Sequence, residues 1–257
     1  MFTAQQYVRP ASIEEAYALN QKITSAILGG GCWLRLGKRR IGTLIDLSAL
    51  GLDSIEETER EITVGAMVTL RQLETSGALG QSFGSGFARM TEHIVGVQFR
   101  NCATLGGSLA ARFGFSDVLT WLLALDCQVE LAGAGRISLA AYAQMPHDRD
   151  ILLRLILQKN GRKAVYESFR NTQTDLPVLT CAVSTLDGDL RIVLGARPSR
   201  AAALDGLSLS IDADAAAKAA QAHFSFGTNM RASADYRRHL AGVLVRRAVT
   251  QLQEAEQ

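Results

Sequence analysis

The chain has 257 residues, with 27 Lys and Arg residues against 25 Asp and Glu residues and a formal net charge of +2. Apolar residues make up 47% of the chain, and proline occurs only four times. This composition is typical of soluble globular proteins and excludes collagen-like and disordered classes. Because the charges nearly cancel, no global field favours nucleic acid or an anionic membrane as a partner.

The cysteines indicate a reducing compartment. Cys32, Cys102, Cys127 and Cys181 are far apart in the sequence, without a CxxC pair or a Cys/His cluster. This spacing predicts reduced thiols rather than a disulfide framework, a zinc site or an iron–sulfur site.

The N-terminus has no signal-peptide pattern, and the apolar run 118–125 is shorter than the roughly 20 residues of a membrane span. We therefore expect a cytoplasmic protein.

The first two-thirds of the chain predict short strands alternating with short helices. Ser12 with Glu15 forms a capping box that begins a helix, and Thr69 with Gln72 begins another that ends at Gly77. Strands are predicted at 25–28, 43–47, 62–67, 127–131 and 151–157, and helices at 83–94 and 118–125, the second capped by Ser116 or Asp117. This alternation favours an α+β or α/β class.

The last third predicts an antiparallel hairpin followed by helices. Strands are expected at 165–169, 178–186 and 190–194, with Asp187 and Gly188 as the hairpin turn. Asp212 and Asp214 lie where a helix N-terminus favours negative charge. One face of the final helix is predicted to carry Tyr236, Leu240, Val243, Leu244, Ala248 and Leu252. We expect this region to be a separate domain.

Two glycine-rich segments are the strongest functional signals. The first is Leu28-Gly29-Gly30-Gly31-Cys32-Trp33-Leu34, directly after a predicted strand, and the second is the loop 102–108, which contains Gly106 and Gly107. Consecutive glycines let backbone N–H groups converge on phosphate oxygens without help from Lys or Arg. Either segment alone is equally compatible with a plain tight turn.

Other nucleotide and catalytic signatures are incomplete. Gly29-x-Gly31-x-x-Leu34 followed by Asp46 imitates a dinucleotide-binding fingerprint, but Leu34 replaces the third glycine. There is no GxxxxGK[ST] or HExxH motif, and the four histidines are scattered. Asp117 fits either a general base or a residue favoured by a helix dipole.

The arginines near the last helix predict a solvated basic face or salt bridges to a neighbouring subunit. Tyr236 is the single aromatic residue among them, too few for a row of base-stacking side chains, which disfavours nucleic-acid binding. The residues are Arg231, Arg237, Arg238, Arg246 and Arg247.

Several segments, in order, resemble one family. They read GGGCWL, TLIDLS, ITVGAMVTL, FRNCATLGGSLAARFGFSD and LLALDCQVEL, with DILLRLIL and RASADYRRHLAGVLVRRAV further on. The sequence is similar to the FAD-binding medium subunit of molybdenum hydroxylases, the family that includes the flavin part of xanthine dehydrogenases and the flavoprotein of carbon monoxide dehydrogenases. The family's usual glycine motifs are AGGT-x-L and RN-x-GTIGGN.

The resemblance implies an α+β fold. A PCMH-type FAD-binding domain is expected over residues 1–163, made of two α+β subdomains (about 1–55 and 56–163) with FAD in the cleft between them. A domain like the C-terminal domain of carbon monoxide dehydrogenase flavoproteins is expected over 164–257, with a small antiparallel sheet plus helices.

The resemblance also implies cofactor contacts, but no catalytic or metal-binding residue. The FAD pyrophosphate would be wrapped by Leu28, Gly29, Gly30, Gly31, Cys32, Trp33 and Leu34. The second cradle would be Thr104, Leu105, Gly106, Gly107 and Ser108, with the Thr104 hydroxyl and the Gly106 and Gly107 amides as donors. Asp117 would contact the ribityl or adenosine side, and Ile151 and Leu152 would lie against the isoalloxazine.

Departures from the family pattern predict weaker FAD binding. Cys32 stands where the family has Thr or Ser, Ala103 replaces Gly, Ser108 replaces Asn, and Glu167 replaces a frequent lysine. A thiol is a weaker donor than a hydroxyl, and one lost hydrogen bond corresponds to about 0.5–1.5 kcal/mol. We expect binding to survive because backbone donors do most of the holding.

The function implied by the resemblance is electron transfer in a complex. A molybdopterin-containing large subunit would oxidise the substrate, a [2Fe–2S] small subunit would relay electrons, and FAD in this chain would pass them as a hydride to NAD or another acceptor. One alternative is a flavin-free structural or assembly subunit of the same kind of complex, suggested by Cys32, Ser108 and Glu167. Another is a Rossmann-type dehydrogenase that binds NAD through Gly29–Gly31.

Overall fold

A computed structural model of the chain describes residues 1–256. The strands are β1 Thr3–Val8, β2 Ser25–Leu28, β3 Arg40–Asp46, β4 Ile55–Glu57, β5 Glu61–Gly65, β6 Cys127–Leu131, β7 Gly135–Ser138, β8 Leu152–Gln158, β9 Lys163–Phe169, β10 Leu179–Leu186, β11 Asp189–Gly195 and β12 Ala202–Ser208. The α-helices are α1 Ile13–Asn20, α2 Leu70–Thr75, α3 Gly77–Phe83, α4 Gly86–Thr91, α5 Val97–Arg100, α6 Leu105–Ala110, α7 Asp117–Ala124, α8 Leu139–Gln144, α9 Ala213–His223 and α10 Ala234–Glu254. The predicted mixture of helix and sheet is confirmed.

The chain forms two compact units, and each combines segments that are separated in the sequence. Unit 1 contains residues 1–73, 97–111 and 127–157. Unit 2 contains residues 74–96, 112–126 and 158–256. A boundary at residues 163 and 164 remains a prediction from sequence, since the compact units do not follow chain order.

Unit 1 contains a three-stranded sheet and a five-stranded sheet. The first has the order β1-β3-β2 with parallel pairing, and the second has the order β4-β5-β8-β6-β7. Apolar side chains from α1, the end of β3 and the start of β8 form a core that includes Ala16, Ile45, Leu47, Ile151 and Leu153. This core fixes the end of β2, from which the first glycine segment leaves.

Unit 2 is built on an antiparallel sheet of order β12-β11-β10-β9. β10 is covered on both faces. Val183 packs in a core with α9 and α10. On the other face the Thr180 hydroxyl lies 2.8 Å from the Thr120 hydroxyl, and the Ser184 hydroxyl donates to the Ala124 carbonyl at 2.5 Å. The hydroxyls of Thr180 and Ser184 are thereby satisfied by α7, as buried polar groups require.

Several local predictions are confirmed. The strands predicted at 25–28 and 127–131 have those bounds. Ser116, rather than Asp117, caps α7, and its hydroxyl accepts the Leu119 N–H at 3.0 Å. The Thr69 N–H donates to the Gln72 side chain at 2.8 Å, and the Gln72 N–H donates back to Thr69 Oγ1 at 3.2 Å, which completes the predicted capping box.

Two helix predictions are wrong because of glycines. α2 ends at Thr75, and Gly77 begins α3 instead of ending the previous helix. The single helix predicted at 83–94 is divided, because Gly84 has a φ of +62° and ends α3 before α4 begins at Gly86. A left-handed residue of this kind interrupts a right-handed helix.

The predicted apolar face of α10 needs one correction. Leu240 and Leu244 are buried as expected, but Tyr236 is 42% exposed and Val245, which the prediction omitted, is fully buried. The predicted solvated basic face holds for Arg238, Arg246 and Arg247, which are exposed, but it is wrong for Arg237. Arg237 is 1% exposed.

The Arg237 guanidinium holds several loops of unit 2 together. It donates to the carbonyls of Val178 at 2.9 Å, Gly227 at 2.6 Å and Ala232 at 2.7 Å, and to the side chain of Asn229 at 2.6 Å. Burial lowers the pKa of Arg237. Its five donors suit this bridging of backbone carbonyls, because a guanidinium remains charged when buried.

The contact between Gly86 and Trp121 predicts a stability effect. A Cβ at position 86 would lie 2.1 Å from the ring of Trp121, which is fully buried. Gly86→Ala is therefore expected to reduce the free energy of unfolding by about 1–3 kcal/mol, the usual cost of overpacking. Chemical denaturation measures it.

The matched control is Gly80→Ala. A Cβ at position 80 has no atom within 4 Å. Its higher helix propensity should stabilise the chain by up to about 1 kcal/mol. Equal effects of the two substitutions would contradict the packing assigned to Trp121.

Candidate functional site

The first glycine segment leaves β2 and stays close to the surface of unit 1. Gly31 has a φ of +68°, a conformation that favours glycine. Within residues 1–256, the backbone N–H groups of Gly29, Gly30 and Gly31 donate to no protein acceptor. Backbone amides that lack internal partners are suited to an external anion.

The second glycine segment is the N-terminus of a helix and not a loop, which corrects the prediction. Thr104 is the N-cap of α6, and its Oγ1 accepts the Gly107 N–H at 3.2 Å. The Gly106 N–H donates to the Ala66 carbonyl at 2.8 Å. The two amides expected to bind phosphate therefore have acceptors in the protein, while the Thr104 hydroxyl keeps its own proton to donate.

The two glycine segments are in direct backbone contact. A Cβ at position 29 would lie 2.8 Å from Thr104 Oγ1, and a Cβ at position 30 would lie 1.8 Å from the Cys102 carbonyl oxygen. Only glycine permits this approach, since real Cβ contacts are never so short. The structure thus unites residues about 70 positions apart into one feature, which we call the cradle (Gly29–Leu34 and Thr104–Ser108).

Basic residues follow the first segment of the cradle. Arg35, Lys38, Arg39 and Arg40 are all exposed. These charges were not predicted as part of the site. Cationic side chains and unpaired amides together favour an anionic ligand such as a diphosphate.

Two side chains that depart from the family pattern donate their hydrogen bonds to backbone carbonyls of the cradle. The Cys32 thiol donates to the Gly30 carbonyl at 3.6 Å. The Ser108 hydroxyl donates to the Thr104 carbonyl at 2.9 Å. Glu167 lies on β9, opposite Cys181, in unit 2.

The other predicted cofactor residues are apolar and, apart from Trp33, buried. Ile151 is 2% exposed and belongs to the core of unit 1, and Leu152 is 5% exposed. Leu105 is fully buried, whereas Trp33 is 47% exposed beside the cradle's glycines. Contact of Ile151 and Leu152 with an isoalloxazine remains a prediction.

Asp117 has partners inside unit 2. Its carboxylate accepts hydrogen bonds from the Tyr166 hydroxyl at 2.5 Å and the Arg170 guanidinium at 2.5 Å. Burial raises the pKa of the Asp117 carboxyl, while Arg170 and Tyr166 oppose the rise. The same burial, with Asp117 next to it, raises the pKa of Tyr166. A cofactor contact of Asp117 remains a prediction, and Arg170 was not anticipated from the sequence.

The acidic residue of the dinucleotide-binding alternative, Asp46, is already hydrogen-bonded within the protein. The Asp46 carboxylate accepts hydrogen bonds from the Tyr7 hydroxyl and from the Ser48 N–H, the latter at 2.9 Å. It therefore caps a turn at the end of β3 and has little capacity left for a ribose.

The described residues contain neither a metal-binding cluster nor a membrane-spanning helix. Over residues 1–256 there is no group of three or more His, Cys, Asp and Glu side chains that could hold a metal ion. In the same range no helix combines the length and the apolar character that crossing a membrane requires.

Comparison with protein families decides the classification. The profile described as the FAD binding domain in molybdopterin dehydrogenase matches residues 2–159. The chain belongs to this FAD-binding family. The CO dehydrogenase flavoprotein C-terminal domain matches residues 164–252. The resemblance drawn from the sequence is confirmed, and with it FAD as the cofactor of the family.

Individual relatives are similar over nearly their whole length. The chain is 30% identical to the nicotine 6-hydroxylase medium subunit of Paenarthrobacter nicotinovorans, covering 96% of this chain and 97% of that protein. It is 26% identical to the carbon monoxide dehydrogenase medium chain of Hydrogenophaga pseudoflava, covering 95% of each. A chain of the reconstituted CO dehydrogenase from Oligotropha carboxidovorans matches with a TM-score of 0.84 at 25% identity, covering 96% of each chain. The predicted fold is thereby confirmed.

The buried Asp117–Arg170 pair predicts a large effect of a single substitution. Their side chains are only 8% and 5% exposed. Arg170→Leu leaves the carboxylate without its cation, and we expect a loss of about 3–5 kcal/mol in the free energy of unfolding. Equilibrium denaturation measures it, and adding Asp117→Asn should recover part of the loss.

Arg246→Leu is the control for this prediction. Arg246 pairs with Asp214 where both side chains are more than half exposed, so the expected loss is about 0–1 kcal/mol. A loss at Arg170 as small as that at Arg246 would show that the buried pair is not needed for stability.

Proposed function

We propose that this chain is the FAD-binding electron-transfer subunit of a multi-subunit molybdenum hydroxylase of the xanthine dehydrogenase type. The observation that carries the proposal is the cradle, where two distant glycine segments meet and leave backbone N–H groups unpaired in a chain of the FAD-binding family. The names of the relatives, a medium subunit and a medium chain, support a role within a larger complex.

The residues of the cradle fit the FAD pyrophosphate. The unpaired N–H groups of Gly29, Gly30 and Gly31 would donate to its oxygens, and the Thr104 hydroxyl would add one donor. The N-terminus of α6 contributes a positive dipole end. FAD, when bound, accepts electrons one at a time and returns a pair as a hydride. The task of the chain is to hold and orient the cofactor, which needs no acid–base pair.

The proposed partners rest on the relatives' names. Because these are a medium subunit and a medium chain, we assign the molybdopterin and [2Fe–2S] centres to a large and a small partner subunit. We propose NAD or another small acceptor as the electron sink and the cytoplasm as the location. The substrate is chosen by the large subunit.

The first test is the cofactor itself. The purified chain, alone or with its partners, should be yellow and should release FAD on denaturation. Absorbance and chromatography of the released flavin measure this. A chain that stays colourless and takes up no FAD on titration would support the flavin-free assembly subunit instead.

Gly107→Asp tests the cradle. Gly107 is exposed at the start of α6. A carboxylate there suits the helix dipole, so the fold should persist, but it repels a diphosphate. We expect flavin content and NAD reduction to be lost while the complex still assembles. Gly107→Asn, of similar size and neutral, is the control and should retain more FAD. Unchanged electron transfer in the Asp variant would refute the proposal.

Cys32→Thr tests the thiol that departs from the family pattern. A hydroxyl restores a stronger donor, so FAD affinity should rise about three- to twelve-fold, the equivalent of one net hydrogen bond. Cys32→Val has the same shape without the hydroxyl and should give no gain. Fluorescence titration with FAD compares the three chains, and equal gains in Thr and Val would assign the effect to packing.

A further inference from the structure

Two of the four free thiols lie in the cradle or directly beside it. Cys32 follows the three glycines of the first segment and is half-buried, and Cys102 lies two residues before Thr104 and is exposed. Cys127 is only 8% exposed and Cys181 is fully buried. The thiols near the surface are thus the pair that flanks the glycine contact.

Backbone geometry brings these two cysteines together. Gly30 lies so close to Cys102 that a Cβ would be 1.8 Å from the Cys102 carbonyl oxygen. The Cys32 thiol turns back toward Gly30 and donates to its carbonyl at 3.6 Å. The sulfur of Cys32 therefore points toward the residue that touches Cys102.

The electrostatics agree with this proximity. Burial raises the pKa of the Cys32 thiol, and the neighbouring Cys102 raises it further. Cys102 is exposed, whereas Cys32 is half-buried, so an oxidant reaches Cys102 first.

We propose that Cys32 and Cys102 are a peroxide-sensitive dithiol that closes into a disulfide across the cradle. The Cys102 sulfur attacks one oxygen of hydrogen peroxide, the O–O bond breaks, and a sulfenic acid and water form. The Cys32 sulfur then attacks the Cys102 sulfur and displaces a second water. In total, two thiols lose two electrons and two protons, and one peroxide becomes two waters.

The disulfide would change the shape of the cradle. A disulfide fixes its two Cα atoms about 4.4–6.8 Å apart with a defined dihedral angle. To reach Cys102, the Cys32 side chain must leave the Gly30 carbonyl, and the backbone of the first segment must shift with it. The unpaired amides then lose their arrangement around an anion. This consequence rests on the proposed function, whereas formation of the disulfide does not.

The first experiment measures the disulfide in the flavin-free full-length chain. Peroxide should remove two of the four thiols, peptide mapping should link Cys32 to Cys102, and dithiothreitol should restore both. Cys102→Ser and Cys32→Ser should form no disulfide, while Cys127→Ala should still form it. A sulfenic acid that persists without a disulfide, or a pairing with other cysteines, would overturn the proposal.

The second experiment measures FAD affinity before and after oxidation. We expect oxidation to weaken FAD binding about tenfold or more, as loss of hydrogen bonds to a charged group implies, with full reversal by dithiothreitol. The Cys102→Ser chain should bind FAD equally with and without peroxide. Unchanged affinity in the cross-linked chain would overturn the control of binding.

The two hypotheses fail in different ways. If the reduced chain binds no FAD but the disulfide forms, the proposed function fails and the dithiol stands. If the reduced chain binds FAD and no disulfide forms, the dithiol fails and the proposed function stands. Protection of both thiols by bound FAD would support both.

Discussion

The contact between Gly30 and the Cys102 carbonyl is the constraint on which the cradle depends. The space at this point admits no side chain, since even a single methyl group would overlap the carbonyl oxygen. Because the two backbones touch there, Gly29 lies against the hydroxyl of Thr104 and the first segment cannot fold back to satisfy its own N–H groups. Close approach, more than unusual dihedral angles, explains the glycines, and only Gly31 has a left-handed conformation in this segment.

The groups that would bind an anion differ from the charged groups that stabilise the fold. The cradle presents neutral backbone dipoles, which hold an anion without requiring a buried countercharge. In unit 2, buried Asp117 is matched by Arg170, and buried Arg237 is matched by backbone carbonyls. These charges are satisfied inside the protein. Asp117 looks like a functional residue in the sequence, but the structure gives it two protein partners.

Sequence patterns predicted elements with strong local signals and missed those without them. The capping residues Ser116 and Thr69 and the buried strand 127–131 have such signals and are correct. β1 was missed because its exposed sequence TAQQYV has no apolar alternation, and its position is set by pairing with β3. The glycine segments could be found from sequence. Their contact could not, because it depends on the packing of residues far apart in the chain, and the same holds for Arg170.

The interleaving of the units has a consequence for how the protein is made and divided. Helices α3, α4 and α7 leave the ribosome before any strand of the sheet on which unit 2 is built, and unit 1 is not complete until β8 has been synthesised. A chain truncated after residue 163 would retain Trp121 but lose most of β9 and all of β10 to β12, and with them the aromatic partner Tyr166. The units are therefore not consecutive pieces of the chain, and no single cut in the sequence separates them.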